Sequence, residues 1–114
     1  MDYVLEQKPG ACILRFEGDL SGQAEVELKR VFVRMRQDGD VRIAADMRHV
    51  AFMDSNVLGT LVWALKNFRE AGGDLRLFGL HDFVQRLFDI TGLNQAFRIY
   101  DAESDALESF GPAE

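Results

Sequence analysis

"VRIAADMRHVAFMDSNVLGTLVWALKNFREAGGDLRLFG", residues 41–79, switches its hydrophobic period from strand to helix and back. In VRIAADM, residues 41–47, Val41, Ile43, Ala45 and Met47 alternate on one side. A period of two is the mark of a strand with one buried face. After Ser55 the period changes: Leu58, Leu61, Val62, Leu65 and Phe68 recur at the spacing of one helical stripe. AGG ends the helix, with Gly72 or Gly73 suited to the cap. DLRLFG, residues 74–79, then alternates again. Two strands joined by a helix lie parallel, because the chain must cross over the sheet before it can run the same way again.

The flanking sequence extends this unit. YVLEQ (3–7) and ACILRFE (11–17) are short strands around the turn residues Pro9 and Gly10, which predicts a hairpin. Cys12, Leu14 and Phe16 share one face of the second strand. GDLSGQ breaks the pattern, and Ser21 is a good N-cap for the helix that follows. In that helix Ala24, Leu28, Val31, Phe32 and Met35 form the apolar stripe, and Gly39 suits its end. HDFVQRLFDITG (81–92) predicts a further helix with Phe83, Val84, Leu87 and Phe88 inward. FRIY (97–100) is a short last strand, and AESDALESF (102–110) a last helix with Ala106, Leu107 and Phe110 inward. The expectation is an α/β fold: a mixed sheet of about five strands, parallel in its later part, with about four helices on at least one face. No repeat or linker divides the chain, so residues 1–114 read as one domain with its core between about 3 and 110.

Composition narrows the function. A net charge of −6 disfavours nucleic acid and anionic membranes as partners. No apolar run reaches the roughly 18 residues of a membrane span, and no leader-like segment opens the chain. The protein therefore reads as cytoplasmic, with no membrane insertion. The single cysteine, Cys12, sits in an apolar run and reads as a buried thiol. His49 and His81 are the only histidines, too few for a metal set, so no metal is expected. Ser55 lacks the GxSxG setting of a nucleophile, and no glycine-rich loop cradles a phosphate. No cofactor is called for, and an enzyme is not expected. A small-ligand binder such as a nucleotide sensor has equally little in the sequence to support it.

What remains is the junction FMDSNVLG, residues 52–59. Helix N-termini carry unpaired N–H groups and partial positive charge. Asp54 or Ser55 suits the cap, which is one complete reading. The same physics permits a second: a phosphate on Ser55 would sit near anion-friendly N–H groups, beside Asp54. On the helix itself, Asn56, Gly59, Thr60, Trp63 and Asn67 fall opposite the apolar stripe. Trp63 in that position is either an interface anchor or packs on a neighbouring loop or on the stems of Lys66 and Arg69.

The order of elements resembles a STAS domain of the anti-sigma-factor antagonist branch. So do FMDS with the following LG, the GG before the fourth strand, and RLFDITGL. The likeness runs from about Tyr3 to Phe110. It implies the mixed-sheet fold and a partner-switching role. In that scheme the unphosphorylated protein binds an anti-sigma factor that is also a serine kinase, which frees the sigma factor. Phosphorylation of the serine after the motif's aspartate, here Ser55 after Asp54, breaks the complex, and a PP2C-type phosphatase restores it. The implied partner-facing residues on the helix are Asp54, Asn56, Val57, Gly59, Thr60 and Trp63. Ser21 matches a loop position that often carries an acid, and Asp19 lies two residues earlier. The sequence departs from the family at three places. Asn56 and Val57 replace the usual Ser or Thr and Gly, and the stiff Val57 is expected to restrict a kinase's approach. Ser21 replaces the acid, and Trp63 stands where a small residue is common. These departures motivate an alternative, a constitutive STAS interaction module without phosphorylation, in a signalling complex or as a cytoplasmic subunit of a transport system. Neither composition nor resemblance sets the oligomeric state.

Overall fold

The strand–helix–strand unit at the centre of the chain forms as its spacing predicts: β3 (Arg42–Asp46) and β4 (Asp74–Phe78) lie parallel, joined by a helix over Ser55–Glu70. The computed structural model describes residues 1–111. Upstream, β1 (Asp2–Lys8) and β2 (Ala11–Glu17) form the expected antiparallel hairpin. The first helix, α1 (Ala24–Gln37), crosses over from β2, so that β2 is parallel to β3. With α2 as Ser55–Glu70, the later elements are α3 (Asp82–Thr91), β5 (Ile99–Tyr100) and α4 (Glu103–Ser109). A short 3-10 turn, Leu93–Gln95, separates α3 from β5. The sheet order is β1-β2-β3-β4-β5, parallel after the hairpin.

The period of two sorts the sheet's side chains between two cores. Cys12, Leu14 and Phe16 of β2, with Ile43 and Ala45 of β3, pack with α1, α2 and α3 on one face. Ile13, Ala44 and Phe78 point to the other, where Ala106 and Phe110 of the α4 segment cover them. Helices thus close both faces. The α1 stripe is buried throughout, at Ala24, Leu28, Val31, Phe32 and Met35.

Four expectations are corrected by packing. Ser21 does not cap α1: the helix starts three residues later behind Gln23, and Ser21 is exposed, its carbonyl accepting from the Ala24 N–H. Phe83 does not point inward. It is 50% exposed, and Val84 and Phe88 carry the buried face of α3. The buried face of α2 is wider than one stripe and includes Val57, Thr60 and Ala64, while Val62 is only half-buried. The Thr60 hydroxyl tolerates burial because it donates to the Asn56 carbonyl. Trp63 meets α1, a neighbour its position in the sequence did not suggest: the Lys29 ammonium lies 5.0 Å from the ring centroid.

Candidate functional site

The carboxyl ends of β2 and β3 lie side by side because the two strands are parallel. The loops that leave them, residues 18–23 and 47–54, therefore run together. Backbone bonds zip them: Gly18 N–H donates to His49 O at 3.1 Å, Leu20 N–H to Phe52 O at 3.0 Å, and Asp54 N–H to Leu20 O at 3.1 Å. Leu20 and Met53 pair across the seam, and both are buried.

Two aspartates staple the seam. Asp19 Oδ1 accepts from Ala51 N–H and Phe52 N–H, each at 3.1 Å. Asp54 divides its oxygens between the loops. Oδ1 accepts from Val57 N–H at 2.9 Å, which caps α2. Oδ2 accepts from Gly22 N–H at 2.9 Å, across the seam. Gly22 presents that N–H from a left-handed backbone, φ +60°, which glycine adopts at little cost. Hydrogen bonds from Val57 N–H, then Gly22 N–H, hold the Asp54 carboxyl below the usual carboxylate range. It stays ionised at neutral pH.

Ser55 is the first residue of α2 and is exposed. Asn56 and Gly59 are exposed beside it, one residue and one turn further on. Val57 and Thr60 are not part of this edge. At 0% and 5% exposure they face the core. Val57 therefore does not obstruct Ser55, contrary to expectation, because its bulk lies under the helix. Trp63 is half-buried two turns along α2, where it lines a groove of about 420 Å³ with Val33, Arg36, Gln37 and Asn67. The structure brings Asp19, Asp54, Ser55, Asn56 and Gly59 together, and it puts Trp63 over α1.

Sequence reading missed an aromatic pair at this edge. Phe52, 41% exposed, stacks against Phe83 with ring centroids 5.3 Å apart. The pair bridges the loop before α2 to the first turn of α3. Helical period alone placed Phe83 inward, so only the proximity of Phe52 to the MDS junction could have signalled it. His81 precedes α3, and its Nε2 contacts the Arg48 carbonyl oxygen.

Among the described residues no side-chain bond reaches the Ser55 hydroxyl, and His49 is exposed without a bond to it. Among them, too, no three His, Cys, Asp or Glu side chains converge to hold a metal ion. No helix among them is long and apolar enough to cross a membrane.

Comparison with known proteins gives a consistent family. A family model for the STAS domain matches residues 2–106. The chain is 37% identical over 82 residues to the anti-sigma-B factor antagonist of Staphylococcus aureus, covering 72% of this chain and 76% of that protein. A candidate anti-sigma factor antagonist from Thermotoga maritima superposes with a TM-score of 0.90 at 27% identity, covering 95% of this chain and 93% of the other. The phosphorylated form of the Bacillus cell fate determinant SpoIIAA superposes with a TM-score of 0.74 at 18% identity, covering 95% and 98%; it shares the fold.

Proposed function

Because the chain belongs to the STAS domain family, we propose that it is an anti-sigma-factor antagonist that works by partner switching at Ser55. The unphosphorylated protein docks an anti-sigma factor that is also a serine kinase. Phosphorylation of Ser55 releases it, and a PP2C-type phosphatase resets it. The protein is a binding switch and not an enzyme.

The observation that carries this reading is the setting of Ser55. It is exposed at the N-terminus of α2, directly after an aspartate whose two oxygens are both engaged. A phosphate there adds about −1.5 to −2 charge. The helix end favours an anion, so the fold tolerates it. The neighbouring Asp54 carboxylate is already negative, so the local surface becomes strongly acidic. An acidic or apolar partner surface seated on Phe52, Asn56 and Gly59 is then repelled. The switch is local and needs no refolding.

The test pairs modification with binding. Incubation with ATP and the cognate anti-sigma kinase is expected to add one phosphate to the wild type and none to Ser55→Ala, read by intact mass. Calorimetry is expected to show Ser55→Ala binding the kinase like the wild type and Ser55→Asp binding at least about tenfold more weakly. Equal binding by both variants, with no phosphate on the wild type, leaves the constitutive interaction module as the function.

A further inference from the structure

The sheet has two edges, and they differ in kind. β5 is two residues long, a short edge that offers little to pair with. β1 is seven residues long, contains no proline, and runs in unbroken register along β2. Among the described residues no strand pairs with its outer side: β1 is terminal in the sheet order. Alternate residues of such a strand turn their N–H and C=O groups away from the sheet. Its apolar side chains are exposed on both faces, Tyr3 at 41%, Val4 at 55% and Leu5 at 42%. A long, regular, apolar edge is a template for another strand.

The sequence of β1 selects the partner. DYVLEQK carries an acid at one end and a lysine at the other. Laid antiparallel on a second copy with Leu5 opposite Leu5, residue i faces residue 10 − i. Asp2 then faces Lys8 and Lys8 faces Asp2, while Tyr3 faces Gln7 and Val4 faces Glu6. The opposite charges meet at both ends, and Leu5 meets Leu5 at the centre. A shift of two residues in either direction loses both charge pairs. Opposite charges across a strand pair attract and like charges repel, so the register is specified as well as permitted.

We infer that two copies of this chain associate through antiparallel pairing of β1 with β1 about Leu5, joining their sheets into one of ten strands. The contact is isologous, as a twofold dimer requires. It uses neither Ser55 nor α2, and it stands independently of the proposed switch.

Sedimentation equilibrium over a concentration series tests it with three variants of the full chain. Asp2→Lys is expected to place lysine against Lys8 at both ends and weaken the dimer by roughly tenfold. Lys8→Asp is expected to weaken it similarly. The double variant Asp2→Lys/Lys8→Asp restores opposite charges and is expected to recover the wild-type dimer. Both positions are on the surface, and circular dichroism checks that each variant is folded. A wild type that is monomeric at every concentration overturns the inference. So does a dimer indifferent to the single reversals, or one that the double variant fails to restore.

Discussion

Asp54 does two jobs with two oxygens, and they can be separated by substitution. One oxygen caps α2 through Val57 N–H, and the other ties the loop before α1 through Gly22 N–H. Asparagine has a side-chain oxygen for the cap but replaces the other acceptor with a donor, which cannot accept from Gly22. Alanine offers neither. Asp54→Ala is therefore expected to lower the urea midpoint more than Asp54→Asn does, since Asn is as good an N-cap as Asp. Hydrogen exchange at Gly22 separates the two jobs: both variants are expected to lose protection there. Retained protection in Asp54→Asn would show that the seam is held by Asp19 and the backbone bonds alone. Much of this was legible in FMDS, where an acid before an apolar helix signals a cap. The tether to Gly22 was not, because it joins residues 32 positions apart and depends on parallel strands bringing two loops together. Asp19 shows the same limit. Its Oδ1 accepts from Ala51 and Phe52 N–H on the neighbouring loop, more than 30 positions away, while the side chain stays exposed.

Elements were easier to read than their faces. Apolar spacing locates the strands and helices because burial of one face is what stabilises them. It misplaces residues wherever a helix touches more than one neighbour. α2 packs against both α1 and β4, so its buried arc widens to include Val57 and Thr60. Phe83 fails for a different reason: in the first turn of α3 its half-exposed ring meets Phe52 of the loop before α2 and not the core. The two glycines between α2 and β4 show how much a helix end can demand. Gly72 has φ +87° with open space around it, so an added methyl meets only backbone strain. A Cβ on Gly73 would lie 1.9 Å from the Val41 carbonyl oxygen, the acceptor for Asp74 N–H where β4 begins beside β3. Gly72→Ala is expected to cost about 1–2 kcal/mol. Gly73→Ala is expected to cost more than about 3 kcal/mol, or to prevent folding, because backbone must move and with it the start of β4. Urea unfolding of the two variants checks the order, and equal losses would mean that the turn relaxes freely.

Across the whole molecule, one charge cluster connects the sheet to the seam that carries Ser55. Arg15 of β2 donates to Glu6 of β1, to Asp46 of β3 at 2.9 Å and to Glu103 of α4 at 2.6 Å. Asp46 also accepts from Arg48 three times: the backbone N–H at 3.0 Å, Nε at 3.0 Å and Nη2 at 2.8 Å. Arg48 opens the loop that leads to Asp54. Burial pushes the Asp46 carboxyl up, but the bonds from Arg48 and Arg15 outweigh it and leave the group below its ordinary value. The Arg15 bond holds Glu6 low as well. Each of these groups binds its proton less readily folded than unfolded. Their stabilisation is therefore complete above the unfolded carboxyl pKa of about 4 and is lost as pH falls through the depressed folded values. Stability should be level from about pH 7 to 5 and fall steeply below 4. Asp46→Asn removes a buried acceptor from two arginines, so a loss of about 2–4 kcal/mol at neutral pH is expected. The variant should also lose less between pH 5 and 3 than the wild type, since its own contribution to the acid limb is gone. Urea titrations of both proteins across that range decide it. Parallel curves would mean that Asp46 keeps an ordinary pKa and that the acid limb belongs to the exposed carboxylates.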